Sequence, residues 1–242
     1  MKIKQLSSLK ILIILSTKLK LGISTLFLLF NNLILSQNKT FGGLPQLNIN
    51  KILSEKWRLN LKFESRNKFY ESIREFENSR KFQHLNTDYS IIFSKRIGLS
   101  NSLAGGILFR SNDKYFKHRY IQQLTLANQY AFFRIAQRFL FDQTRNVNSP
   151  IEIRFRYRLT FELPINGRSI DNKEWYLKLN NEFLNCYENK KYNLEFRSSP
   201  LLGFKFSDQN KLEFGLDYRN EPVLFKMSKH QFWLSLNWFI VL

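Results

Sequence analysis

The segment IEIRFRYRLTFEL, residues 151–163, alternates between apolar and polar side chains at every step. Successive side chains of a β-strand point to opposite faces, so this segment predicts a strand with one apolar and one charged face. The charged face carries three consecutive arginines, Arg154, Arg156 and Arg158. The fold must therefore place a dense row of positive charge on one side of a sheet and hydrocarbon on the other.

The same alternation recurs along the chain after residue 37, and no segment there has the periodicity of a helix. We identify eleven such segments, beginning with PQLNINKIL at residues 45–53. Most run for about 10 to 14 residues, whereas ordinary strands have about 5 to 6. Strands of that length cross a lipid bilayer when they are tilted. The chain is therefore predicted to be all-β, with unusually long strands.

The connections between these segments alternate in length. Short turns are predicted after residues 53, 96, 128 and 206. Longer polar loops are predicted near residues 71–81, 112–117, 145–150, 187–191 and 220–229. The link at 164–173 is long where a short one is expected. Short turns on one side and longer loops on the other are typical of a transmembrane β-barrel.

A soluble antiparallel sheet also alternates, with its apolar face toward a core. Nine glycines and five prolines are few for a Greek-key sandwich of this size, and arginines and acids are mixed along the polar face of strand after strand. A closed barrel satisfies its backbone groups internally, so its apolar face can contact lipid while its lumen is polar. These features predict an antiparallel up-and-down transmembrane β-barrel.

The number of barrel strands is predicted to be 10–12. Single-chain bacterial barrels normally have an even number of strands. Either residues 38–44 add a short twelfth strand to the eleven segments, or the first segment lies outside a ten-strand wall. We favour twelve.

The N-terminus predicts an export signal. Basic residues precede apolar stretches that end in Ser36 and Gln37, which is the order of a secretory signal peptide. Lys18, Lys20, Asn31 and Asn32 interrupt the apolar stretches, which are too short to span a membrane as a helix. We expect a signal peptide at residues 1–36 and a barrel at residues 37–242, in the outer membrane of a Gram-negative bacterium. An N-terminal membrane anchor is the alternative.

The polar face supplies the candidate functional residues, because the chain is strongly basic, with a formal net charge of +19. The predicted lumen-lining basic residues are Arg58, Lys62, Arg66, Arg134, Arg138, Arg154, Arg156, Arg158, Arg197 and Arg219. The predicted lumen-lining acidic residues are Glu64, Asp142, Glu152, Glu162, Glu182, Glu195, Glu213 and Asp217. The two sets could close the lumen by ion pairing, or an excess of arginine could attract anions into a narrow pore.

Two segments carry a resemblance to a known family. HRYIQQLTLANQYAFFRIAQRFLFDQTR, residues 118–145, and IRFRYRLTFELPING, residues 153–167, resemble the core of the domain of unknown function 2490 family. The resemblance covers most of residues 44–242. It implies an outer-membrane β-barrel, largely from Bacteroidetes and relatives, and it assigns no catalytic or ligand residues. One departure is the last residue, Leu242, where outer-membrane barrels often end on an aromatic side chain.

Other classes of function have weaker support. His84 and Asp88 are expected on one inward strand face, but a hydrolase would also need a nucleophile or an activated water beside them. No residue spacing suggests a metal site, and no cofactor is expected. The aromatic side chains lie on the face opposite the arginines, which is unsuited to nucleic acid. We therefore expect a protein that is not an enzyme.

Aromatic residues near the strand ends predict interfacial girdles in contact with lipid. They are Trp57, Tyr70, Tyr115, Tyr120, Trp175, Tyr192 and Trp238. The expected partners are outer-membrane lipid, other envelope proteins and, if the barrel is a porin-like channel, small anions. Two functions follow: a structural or accessory barrel with a largely plugged lumen, or a narrow anion-preferring channel. An outer-membrane hydrolase is a remote third.

Overall fold

The computed structural model describes residues 38–73, 77–79, 82–112, 116–145, 150–223 and 228–242. The chain divides into two units, residues 1–37 and 38–242, and the description concerns the second. The predicted signal peptide and the predicted girdle residue Tyr115 lie outside the described residues.

All regular structure in the described part of the chain is β-strand. The strands are β1 (Asn38–Ile52), β2 (Trp57–Ile73), β3 (Glu77–Ser79), β4 (Gln83–Arg96), β5 (Ser102–Ser111), β6 (Phe116–Gln129), β7 (Arg134–Arg145), β8 (Glu152–Pro164), β9 (Glu174–Glu188), β10 (Lys191–Lys205), β11 (Asn210–Glu221) and β12 (Lys229–Val241). No helix among the described residues is long and apolar enough to cross a membrane.

Eleven of these strands close into a barrel. Each pairs with its neighbour in the chain in antiparallel orientation, except that β1 closes the barrel by pairing with β12 in parallel. The remaining strand, β3, is a three-residue extension that pairs with the end of β2. The predicted all-β barrel of 10–12 strands is confirmed.

The preference for twelve strands is wrong. Residues 38–44 are the beginning of β1, which continues without a break to Ile52. Eleven alternating strands leave the first and the last pointing the same way, so the seam between them is necessarily parallel. The twelve-strand preference failed because it assumed an antiparallel seam.

The two ends of the barrel differ in their connections. One end, the turn end, carries the links at 53–56, 97–101, 130–133, 165–173 and 206–209. The other, the loop end, carries the links that follow β2, β5, β7, β9 and β11. The long loop predicted at 187–191 is wrong, because β9 and β10 are joined by only Asn189 and Lys190. Both have positive φ, 48° and 60°, as in the type I′ turn that suits a tight hairpin.

The distribution of side chains is the reverse of that in a soluble protein. Three of the six largest fully buried side chains are carboxylates, Asp142, Glu182 and Glu213. Large apolar side chains such as Phe155, Phe183 and Leu234 are exposed on the outer surface. The strict period-two alternation produces this arrangement, because it sends each polar face inward and each apolar face outward.

Glycines make room for the few bulky aromatic side chains inside. A Cβ at Gly203 would lie 2.2 Å from the ring of Tyr176, which is the directly opposite residue on β9. A Cβ at Gly42 would lie 2.5 Å from the ring of the buried Trp233. Each ring therefore packs directly against the backbone of a glycine, and this contact fixes the position of the ring in the interior.

Candidate functional site: the arginine-lined interior

The barrel encloses a polar cavity of about 650 Å³ that is lined by residues from all eleven barrel strands. Eleven of the lining residues are basic and seven are acidic. Arginine remains protonated in proteins, so this excess of basic residues persists at any physiological pH. The interior is therefore a candidate site for negatively charged solutes.

Asp142 on β7 is the first centre of ion pairing. Its carboxylate accepts a hydrogen bond from Arg154 Nε at 2.8 Å and bonds from Arg156 Nε at 3.1 Å and Nη2 at 2.5 Å. Arg119 Nε lies 3.3 Å from the same carboxylate. One fully buried aspartate thus holds three arginines from β6 and β8.

Glu182 on β9 is the second centre. Arg158 Nε and Arg138 Nη2 donate to its Oε2 at 2.8 and 3.3 Å. Arg197 Nη1 donates to Oε1 at 3.3 Å. Arg197 also makes a two-bond pair with Glu195, at 2.8 and 2.9 Å. A second buried carboxylate is therefore also shared by three arginines.

The strand register concentrates arginine in one inter-strand row. Arg138 lies opposite Arg158, and Arg158 lies opposite Glu182. Glu182 lies opposite Arg197, which lies opposite Arg219 on β11. The row contains four arginines and one glutamate. Two of its neighbouring pairs are arginine against arginine, an arrangement that is unfavourable without a counter-charge.

The shared carboxylates lie beneath the arginines. The side chains of Asp142 and Glu182 are 0% and 2% exposed, whereas those of Arg138 and Arg158 are 27% and 30% exposed. The two arginines line the cavity and the two acids do not. A solute in the cavity would therefore meet guanidinium groups rather than the carboxylates that hold them.

Elsewhere in the interior the charges are more evenly matched. On β4 and β5, Asp88 accepts two hydrogen bonds from Arg110, at 2.7 and 2.6 Å. Lys62 donates to Glu64 at 2.7 Å. These pairs line the wall formed by β2, β4 and β5.

The turn end of the interior has a cluster of its own around Glu213. This carboxylate accepts hydrogen bonds from Tyr176 Oη at 2.7 Å and from Lys178 Nζ at 3.0 Å. Lys178 also contacts Glu162, which accepts a hydrogen bond from Arg134. At the opposite half of the barrel, the Arg66 guanidinium lies 5.3 Å above the ring of Trp233. Interacting side chains therefore lie in the interior at both ends of the cavity.

The sequence-predicted residues are distributed as follows. The cavity is lined by Lys62, Arg66, Arg138, Arg154, Arg156, Arg158, Arg197, Arg219, Glu64, Glu152, Glu195, Glu213 and Asp217. Asp142 and Glu182 are buried behind the arginines, and Glu162 lines a smaller pocket near the turn end.

Arg58 and Arg134 do not line the cavity, contrary to the expectation. Both lie at the first or second residue of their strands, at the turn end, where Arg58 is exposed and the Arg134 side chain is 44% exposed. Alternation predicts the face of a residue, but it does not predict how far along the barrel the residue lies.

Five charged lining residues are outside the two predicted lumen-lining sets: Asp88, Arg110, Arg119, Lys178 and Glu221. Arg110 and Asp88 do lie on the polar faces of alternating segments, so the signal was present. Arg119 was harder to identify because its strand, β6, alternates less cleanly. Both Ile121 and Ala127 of that strand are buried.

His84 and Asp88 do not form the arrangement that a hydrolase would need. The β2–β4 pairing has a register shift: Arg66 pairs with Asn86, but the next residue, Asn67, pairs with His84. The His84 ring is hydrogen-bonded to Asn67 at 3.1 Å and lies 3.3 Å from Thr87 Oγ1. Asp88 pairs with Arg110. The bulge therefore separates two residues that simple alternation places together.

A family model described as protein of unknown function (DUF2490) matches residues 20–224 of the chain. This match confirms the resemblance inferred from the sequence. No curated protein and no solved structure matches the chain.

Proposed function

The chain belongs to the DUF2490 family, and we propose that it is an outer-membrane β-barrel with a structural or accessory role in the envelope. One observation carries this proposal: the closed barrel is apolar on its outside and charged on its inside. An apolar outer surface of this extent is favourable in lipid, whereas in water the same surface would be in unfavourable contact with solvent.

The ends of the barrel support the same proposal. Trp57, Trp175 and Trp238 are exposed near the turn end, and Tyr120 and Tyr192 are exposed near the loop end. Aromatic side chains at two such positions match the girdles that contact lipid headgroups. Outer-membrane lipid is therefore the first partner that we propose.

The interior favours a structural role over free transport. Eight strands give a barrel that side chains fill, and about sixteen leave an aqueous channel, so eleven strands lie between these cases. The ion pairs around Asp142, Glu182 and Glu213 lie inside the barrel and reduce its open space. A largely plugged barrel would act through other envelope proteins, without catalysis and without a cofactor.

The row of arginines favours a second candidate, a narrow anion-preferring passage. Four arginines and one glutamate in a single inter-strand row give a cationic lining of the kind that selects anions in channels. The cavity of about 650 Å³ provides space for small solutes along that row.

The test is conductance of the full chain, folded and inserted in a planar bilayer under a salt gradient. A structural barrel predicts a silent bilayer. A passage predicts discrete steps and a reversal potential that favours anions. Replacement of Arg154, Arg156 and Arg158 together by glutamine should then abolish or reverse the preference. Failure of the chain to insert into lipid at all would contradict the membrane proposal.

A further inference from the structure

Arg138 and Arg158 face each other across β7 and β8 with too little negative charge between them. Both donate to the same oxygen, Glu182 Oε2, at 3.3 and 2.8 Å. The other oxygen of Glu182 accepts a hydrogen bond from Arg197. Arg197 is also paired with Glu195, so three guanidinium groups share two carboxylates. Two of the three, Arg138 and Arg158, are directly opposed like charges.

The pair retains hydrogen-bonding capacity toward the cavity. A guanidinium carries five N–H donors. The side chains of Arg138 and Arg158 are 27% and 30% exposed, and both line the cavity. Arg138, Arg156 and Arg158 all line the cavity, while Glu182 is covered by them. An anion that entered the cavity would meet donors from three arginines, whose shared acids Asp142 and Glu182 are buried behind them.

We propose that the interior binds a multiply charged oxyanion, with a phosphate or carboxylate group bridging Arg138 and Arg158. The planar fork of arginine matches the oxygens of both groups, whereas chloride offers no such geometry. The cavity is large enough for a small solute that bears such groups. This inference rests on the second candidate function, because it needs solutes to reach the interior.

The opposite wall is not an equivalent site. Arg110 donates two hydrogen bonds to Asp88, and Lys62 donates to Glu64. Both acids line the cavity and would repel an approaching oxyanion. The control is Lys95, which is exposed outside the cavity, with its Nζ 5.4 Å from the centre of the Trp57 ring.

The experiment is calorimetric titration of the full chain, folded in detergent micelles, with pyrophosphate and separately with citrate. Sodium chloride keeps the ionic strength constant. We expect saturable binding of one or both, which also distinguishes phosphate from carboxylate chemistry. R138Q and R158Q should each weaken binding about tenfold or more, and R158K should weaken it by less, because it retains the charge but loses the fork. K95Q should leave the affinity unchanged.

Circular dichroism establishes that each variant is folded before titration. Absence of saturable binding by either anion would overturn the proposal, as would equal binding by R158Q and the original chain. Neither result depends on conductance or on insertion into lipid, so a failure here leaves the proposed membrane barrel standing. A silent bilayer together with specific binding in micelles would show that solutes enter the interior without crossing the barrel.

Discussion

At the scale of the residue, a few buried carboxylates organise a lumen that is otherwise crowded with positive charge. Asp142 and Glu182 each contact three arginines. Arginine suits this role because its guanidinium forms several directed hydrogen bonds to carboxylates. The interior is therefore stabilised by a network in which each acid has several partners, so loss of one acid affects several strands.

Asp142→Asn is expected to destabilise the barrel by about 3 kcal/mol, because it leaves Arg119, Arg154 and Arg156 without their shared counter-charge. Reversible urea unfolding in phospholipid vesicles measures the change. Asp208→Asn is the control, since this aspartate lies in an exposed turn and contacts Lys205 there. Equal stability of the two variants would show that the network contributes nothing.

Gly203→Ala is expected to cost about 2 kcal/mol, because the new methyl group would overlap the ring of Tyr176. That ring cannot move freely, since its hydroxyl donates to the buried Glu213. Gly105→Ala, whose Cβ would meet only ordinary contacts at 3.7 Å, should stay within about 0.5 kcal/mol of the original chain. The same unfolding titration compares them, and a larger loss for Gly105→Ala would contradict the packing described.

At the scale of the element, the parallel seam between β1 and β12 is the feature that departs from the expected architecture. The seam is continuous: Asn38 to Asn50 of β1 pair with Lys229 to Val241 of β12. The last residue takes part, because Leu242 N donates to Asn50 O at 2.8 Å and Leu242 O accepts from Ile52 N at 3.0 Å. The seam therefore contributes to closure as fully as the antiparallel pairs.

A disulfide tests this seam in a chain that also carries Cys186→Ser. Gln46 and Asn237 are register partners, so Gln46→Cys with Asn237→Cys should cross-link on oxidation. Gln46→Cys with Gln231→Cys should not, because Gln231 pairs with Thr40, about 20 Å away along the strand. Non-reducing gel mobility reports both. Failure of the first pair to cross-link would favour a ten-strand wall in which β1 takes no part.

The face on which each strand residue lies could be predicted from the sequence, whereas the register between neighbouring strands could not. Period-two alternation is local, and it places Asp142, Arg154, Glu182 and Glu213 on polar strand faces; all four are buried in the structure. Alternation carries no information about register, so the opposition of Arg138 and Arg158 was not predictable. The bulge that moves His84 out of step also leaves no signal in the composition of its strand.

At the scale of the whole molecule, the protein is an inverted barrel, apolar on its outside and charged on its inside. The number of strands sets how much of the interior remains open. The ion pairs determine the net charge of the side chains that face this open space. The apolar exterior and the arginine row are products of the same alternation. A single arrangement of residues therefore supports both the proposed location and the proposed anion site.

The most direct test of this account uses the tryptophans as probes of lipid contact. Single-tryptophan variants that keep Trp175, Trp238 or Trp233 are folded into vesicles whose acyl chains carry bromine, which quenches indole fluorescence on contact. Trp175 and Trp238 are exposed on the outside and Trp233 is 1% exposed in the interior. A barrel with its apolar face in lipid should show strong quenching of Trp175 and Trp238 and little quenching of Trp233. Quenching of Trp233, or of none of the three, would contradict it.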